Sequence, residues 1–331
     1  MNSNLLKAAL LASGAALVFG AAAPAQADPV LSGYVDAWAA LGSYSESSRN
    51  AYYYGGEPTD DTPCDNDTNI CAGHYHDHFN MLGGDGRAAI QWNSGFGIQL
   101  DAQGSDANFH DYGDGYDSET TDLAAHFFQR SDDMLWGGFA SIGGTDDARF
   151  GTVGAEFQKY WNDWTFYGQA SWSKGLTSWG SEDHNDSWNF NVQARYFVSS
   201  HLLLTGGVGF DTGGSHWTEC CEAYYHFHQD NWNWTLRAEW LMDNLPISIF
   251  GEYDGSYSHD RGHIDSSDGE GYAVNSRGRT DGNLFMIGVR LFLNQQDLMT
   301  NDRTGASLED FNPWTGKYST MGQFDDGNGA Y

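Results

Sequence analysis

Apolar and polar side chains take turns along most of this chain. Phe96, Ile98, Leu100 and Ala102 share one side of an extended segment, while Gln99, Asp101 and Gln103 share the other. Trp164, Phe166, Gly168, Ala170 and Trp172 alternate in the same way with Thr165, Tyr167, Gln169, Ser171 and Ser173. The device recurs at Trp188–Tyr196, at Trp232–Trp240 and at Phe285–Leu293, and more weakly over 30–42, 86–93, 120–130, 134–143, 148–160, 202–211 and 246–257. A period of two places one apolar face on a β-strand, and there are about twelve such segments. Between them, short turns (Asn93-Ser94-Gly95, Ser131-Asp132-Asp133, Asn162-Asp163, Ser199-Ser200, Asp243-Asn244) alternate with longer polar stretches near 43–85, 104–119, 144–147, 175–187, 212–231 and 258–280.

That pattern predicts an all-β fold, a closed antiparallel transmembrane β-barrel with one rim of short turns and one of long loops. Trp92, Trp136, Trp161, Trp164, Phe197 and Trp240 fall near the short turns, and Trp172, Trp188 and Trp232 near the long loops. Two aromatic girdles at the two membrane interfaces would use amphipathic rings in this way. Composition fits such a reading. Mean hydropathy is −0.54, as in a soluble protein, yet 15% of residues are aromatic and Gly reaches 42. A barrel whose strands are oily outside and wet inside reconciles the two, with a soluble β-sandwich as the competing explanation.

Residues 1–27 differ from the rest. A basic start (Lys7), an apolar stretch from Ala8 to Ala23 and the small-x-small triplet Ala25-Gln26-Ala27 predict a secretory signal peptide. The chain carries 45 acidic and 15 basic residues, a net charge of −30, which a phosphate backbone would repel. Nucleic acid is therefore not an expected partner.

The last strand ends Gly288-Val289-Arg290-Leu291-Phe292-Leu293, and with this the chain resembles the porin-like outer-membrane barrels of Gram-negative bacteria. Met286 stands where that class carries a polar residue, and residues 294–331 run on past the strand as a polar periplasmic tail. The resemblance spans residues 30–293. It implies residence in the outer membrane, contact with its lipid and lipopolysaccharide, insertion by the barrel assembly machinery, and passage of small hydrophilic solutes. The domain plan is then signal peptide 1–27, barrel 28–293 and tail 294–331.

Counting alternation inward from the short turns places Asp36, Arg87, Asp101, Glu156, Arg195, Arg237, Glu239, Glu252 and Arg290 inside the barrel at comparable height. Charge in a narrow lumen is costly unless paired or wetted. The belt is read either as a selectivity zone lining a pore or as ion pairs that fill it. Histidines form a second feature. His74, His76 and His78 enter the second strand and His226 and His228 the tenth, at the every-second spacing that lets imidazoles converge on a metal. No resident cofactor is expected, with calcium or zinc as the ions the loops could bind. This supports an alternative function, a closed barrel whose loops bind divalent metal. Four cysteines in an exported chain favour disulfides, with Cys64–Cys71 a local bridge and Cys220 and Cys221 open to other pairings. The chain is not expected to be an enzyme. A lipid hydrolase would need a serine beside His126, with Ser141 and Ser171 the available partners.

Overall fold

The computed structural model describes residues 29–53, 64–65, 70–109, 117–145, 149–176, 184–219, 223–266, 273–294, 297–309 and 311. The expected signal peptide, Cys220 and Cys221, most of the long-loop apices and residues 312–331 lie outside these. Twelve long antiparallel strands form the wall. They are β1 (Val30–Tyr53), β2 (Ile70–Gln91), β3 (Phe96–Phe109), β4 (Asp117–Arg130), β5 (Met134–Thr145) and β6 (Arg149–Trp161). The circuit continues through β7 (Trp164–Gly175), β8 (His184–Ser199), β9 (Leu202–Glu219), β10 (Ala223–Leu241), β11 (Ile247–Ser266) and β12 (Ala273–Phe292). Each strand pairs with its sequence neighbour, and β1 pairs with both β12 and β2, so the sheet closes on itself. Closure removes every sheet edge, which is what allows strands to cross lipid. A two-residue piece, Cys64–Asp65, adds to the upper end of β2 and sets Cys64 opposite Cys71 in backbone register.

The alternation read from sequence is the alternation observed. Leu41, Leu236, Phe285 and Ile287 are each more than 60% exposed on the outer wall. Their neighbours in sequence point inward. Along β10, Trp232 and Trp240 mark the two girdles, and the stretch between them matches the roughly nine to eleven residues that a tilted strand needs to cross. Leu236 sits midway. Replacing it with arginine is expected to destabilise the barrel by about 2–4 kcal/mol, the cost of a cation at the bilayer midplane. Urea unfolding in lipid vesicles would read this, and an unchanged midpoint would refute the lipid-facing assignment. Phe197 departs from the expected girdle. It lies on the inward phase of β8, 2% exposed, packed with Tyr34, Leu241 and Phe292.

The short turns carry the residues their backbone requires. Asn162 and Asn244 adopt φ of 50° and 61°, and Gly95 has φ 82°. Asparagine tolerates this left-handed region and glycine favours it. A Cβ on Gly95 would lie 2.2 Å from the Arg130 carbonyl oxygen, so the turn admits nothing larger.

The stretches expected as long loops are in large part strand. β1 has 24 residues and β2 has 22, about twice the length needed to cross, and β9–β12 have 18 to 20. These six adjacent strands raise one side of the barrel far above the membrane, while β5–β7 remain at 12 to 13 residues. The apolar–polar signal fades in the raised part because its outer face meets water. His74-Tyr75-His76-Asp77-His78 is polar on both faces and still forms a ladder with β1.

Candidate functional site

All nine belt residues face the lumen, and cross-strand register brings several together directly. Asp36 on β1 lies opposite Arg290 on β12, Arg237 on β10 opposite Glu252 on β11, and Arg87 on β2 opposite Asp101 on β3. Two networks result. In the first, Arg290 bridges Asp36 at 2.9 Å and Glu239 at 3.2 Å, and Arg237 bridges Glu239 at 2.9 Å and Glu252 at 3.2 Å. The guanidinium groups also cap rings, Arg290 over Tyr34 and Arg237 over Phe250, each 3.7 Å from the centroid. Cation–π contact adds to the hold where water is scarce. Gly288 makes room for Phe250, whose ring would lie 2.3 Å from a Cβ placed there.

The second network runs over β2–β8. Arg87 approaches Asp101 at 3.5 Å, and His126 stands between two carboxylates, with Nε2 3.4 Å from Asp101 and Nδ1 3.0 Å from Glu156. Tyr167 donates its hydroxyl to Glu156 at 3.0 Å. Both ring nitrogens of His126 thus face carboxylates, so neither is turned toward Ser141 or Ser171. The ring is fully buried against Phe139.

What joins the networks is the C-terminal segment, placed by the sequence outside the barrel and found inside it. After β12 the chain forms a short helix, α1 (Leu298–Thr304), capped by Asp297, whose carboxylate accepts from the Thr300 backbone N–H at 2.8 Å. Residues 305–309 and 311 then lie in the lumen at the short-turn end. Leu298 packs with Phe197, Leu241 and Phe292, and Leu308 and Phe311 with Phe128, Leu135, Tyr160 and Tyr167. These two apolar clusters are the physical reason for the correction. A tail with Leu298 and Leu308 almost wholly buried cannot stay in water without exposing both.

Polar contacts fix the register of the inserted segment. Gln99 donates to the Leu308 carbonyl at 2.9 Å and accepts from the Leu308 N–H at 3.2 Å. Gln169 does the same for the Glu309 carbonyl and the Phe311 N–H, at 2.7 and 3.4 Å. A side-chain amide carries N–H donors beside a carbonyl acceptor, as a backbone peptide does, so each glutamine stands in for a strand partner. Arg130 donates to the Gly305 carbonyl at 2.9 Å. Arg195 clamps Asp302 at 2.6 Å and Glu309 at 3.1 Å, and Arg87 holds Glu309 at 2.7 Å and the Leu308 carbonyl at 2.7 Å. Glu309 belongs to this segment and to no spanning strand. Its burial opposes ionisation, yet the Arg87 and Arg195 guanidinium groups outweigh that and hold its carboxyl at about 2.

A cavity of about 150 Å³ remains between the segment and the wall formed by β1–β3 and β8–β12, lined by Asp36, Arg87, Arg195, Arg237, Arg290 and Glu309 among others. That is room for roughly five waters at about 30 Å³ each. Above the belt, the wall changes character. One side is apolar, with Phe79, Met81, Ala107 and Leu284. The other presents hydroxyls, amides and carboxylates, including Ser171, Asn189, Asn191, Asp211, Asn231 and Asp254. Ser141 Oγ, Asn191 Oδ1, Thr235 Oγ1 and Ser258 Oγ are buried there without a hydrogen-bond partner among the described residues.

The histidines sit elsewhere. His74, His76 and His78 share the exposed outer face of β2, with the Nε2 atoms of His76 and His78 3.3 Å apart. His226 and His228 lie on the outer face of β10, with β11, β12 and β1 between the two groups. The two sets therefore do not meet. Among the described residues no three His, Cys, Asp or Glu side chains are grouped to hold a metal ion. Sequence reasoning missed the inserted segment, Arg130, His126 as a bridge and the glutamines. The available signal was Leu298, Leu308 and Phe311 recurring in a tail otherwise rich in Gly, Asp and Asn.

No family model and no curated protein matches this sequence. Among solved structures the chain is similar to an outer membrane channel from Pseudomonas putida F1, at 12% identity and a TM-score of 0.45, with 82% of this chain and all of that one covered. It is also similar to the NanC porin, at 7% identity and 0.40, covering 75% and 98%. The outer membrane protease OmpT from Escherichia coli matches at 9% identity and 0.35, covering 78% and 97%. Channel, porin and protease stand together in this set, so the likeness does not decide an activity.

Proposed function

We propose that this protein is an outer-membrane channel for small hydrophilic solutes, occluded at its periplasmic mouth by its own C-terminal segment. The observation that carries this reading is the polar lumen above the segment. A barrel filled for strength alone would pair its buried polar atoms or use apolar ones. Here the inward face is lined by hydroxyls, amides and carboxylates, and Ser141 Oγ, Asn191 Oδ1, Thr235 Oγ1 and Ser258 Oγ have no partner among the described residues, which suits a wetted passage. The remaining gap runs past Arg237, Glu239 and Arg290, so a solute crossing there meets donors and carboxylates at once. At about 150 Å³ the gap is small for a sugar or amino acid. Passage of such solutes then requires residues 298–311 to shift.

Planar-bilayer recordings test this. The full chain is expected to give small openings that favour cations, because the carboxylates of Asp122, Asp211 and Asp254 lie on the inward face above the belt. Replacing Arg237 and Arg290 with glutamine should strengthen cation preference, read as a larger reversal potential under a salt gradient. Absence of any conductance, with or without the C-terminal segment, would exclude a channel.

A further inference from the structure

The raised wall carries a strip of positive charge on its outer face, where the chain as a whole is acidic. Cross-strand register lays His228 on β10 beside Arg261 on β11, and Arg261 beside Arg277 on β12. The next position in that row, on β1, is Arg49. One row nearer the membrane, His259 on β11 lies opposite Arg279 on β12. Neighbouring strands are about 4.8 Å apart, so Arg261, Arg277 and Arg279 form one compact patch. Like charges directly opposite one another weaken a sheet. Arg261 and Arg277 are exposed, and among the described residues neither has a carboxylate partner. Arg279 does, through Asp281 at 2.9 and 3.0 Å, and it also lies over the Tyr257 ring at 4.9 Å. His228 has Asp230 at 3.3 Å from its Nε2, and Asp230 also lies opposite His259, so among the described residues Arg261 and Arg277 are the arginines of the strip without a carboxylate.

The height of the strip decides what it faces. Tyr257 pairs with Trp232 in the upper girdle, and the row of Tyr253, Leu236 and Phe285 below is lipid-facing. Arg279 and His259 are two residues above the girdle, and Arg261 and Arg277 four. At about 3.4 Å per residue on a tilted strand, this is roughly 5 to 10 Å above the hydrocarbon edge, in the headgroup layer. We propose that this strip binds the phosphate of an anionic glycolipid headgroup in the outer leaflet, with Arg261 and Arg277 as the principal donors. Guanidinium groups match phosphate by paired hydrogen bonds, and adjacent ones can share it. The inference rests on the barrel crossing the membrane and is independent of whether the lumen conducts.

The test uses the full chain refolded in detergent, titrated with bisphosphorylated lipid A, its dephosphorylated form or inorganic phosphate, with heat-modifiable gel mobility and native mass spectrometry as readouts. Wild type should gain heat resistance and retain phosphorylated lipid about tenfold better than R261Q/R277Q, as loss of two charge-assisted contacts predicts. Without lipid the variant should melt no lower than wild type, since a repulsion has been removed. If that variant fails to fold, high salt applied to wild type should release the lipid. Equal retention of the dephosphorylated form, equal binding by the variant, or salt-resistant binding would overturn the proposal. Full competition by inorganic phosphate would show a free-anion site instead of a lipid site and would equally overturn it.

Discussion

Deleting residues 295–331 is expected to raise single-channel conductance several-fold, with steady openings replacing the small ones of the full chain. The reason is geometric. Leu308 and Phe311 occupy the space between Phe128, Leu135 and Tyr167, and α1 covers Phe197 and Leu241. Removing them opens the short-turn end of the lumen, and water can then reach Arg87, Arg130 and Arg195. Hydration of those guanidinium groups offsets the loss of Asp302 and Glu309, so the wall should remain folded. A milder form of the experiment is D302N/E309Q, which keeps the segment but cancels both charges that Arg195 and Arg87 hold. It should give brief openings of the same size as the deletion. The full chain also has a defined acid response. Glu309 is held down at about 2, so its hold on the arginines is intact above the ordinary carboxylate range and fades only as pH falls toward that value. Glu309 is 28% exposed, and the lumen's water softens the effect. Conductance should therefore be flat from pH 7 to 5 and rise below about 4. A truncated chain with unchanged conductance would show that the segment is not the obstruction.

The second large effect concerns Arg290. Its guanidinium is the shared partner of Asp36 and Glu239, both 1% exposed at the side chain. Arg290→Met keeps much of the volume and removes the charge. Two buried carboxylates are then left with Arg237, the Ser248 hydroxyl and the Asp85 backbone N–H as their remaining support. Breaking a buried pair by taking one partner away costs about 3–5 kcal/mol, because the other charge stays desolvated. The expected result is a barrel that loses its compact gel mobility at a clearly lower temperature, with a urea midpoint shifted to match. The triple variant Arg290→Met, Asp36→Asn, Glu239→Gln should recover most of that loss. A single variant as stable as the wild type would mean that the belt is hydrated throughout and that its pairs contribute little.

How much of this was legible beforehand follows from what periodicity encodes. Alternation over residues 96–103, 164–173, 188–196, 232–240 and 285–293 reports a local fact, that one face of each strand meets lipid and the other does not. Twelve strands, their antiparallel order, the two girdles and the inward placement of Asp36, Arg87, Arg195, Arg237 and Arg290 all follow from that fact, since neighbours in sequence are neighbours in the wall. The extent of β1 and β2 did not follow, because above the membrane both faces are wet and the period carries no hydropathy contrast. Nor did the pairing within the belt. Arg87 reaches Glu309, 222 positions away, and Arg195 reaches Asp302, 107 positions away. Those contacts depend on a tail of mixed composition turning back through the mouth, where burial of Leu298, Leu308 and Phe311 outweighs its polar character. Strand, face and register were written locally in the sequence. What occupies the barrel's short-turn end was decided by tertiary contact, because the segment inserted there gains its apolar surroundings only once the wall exists.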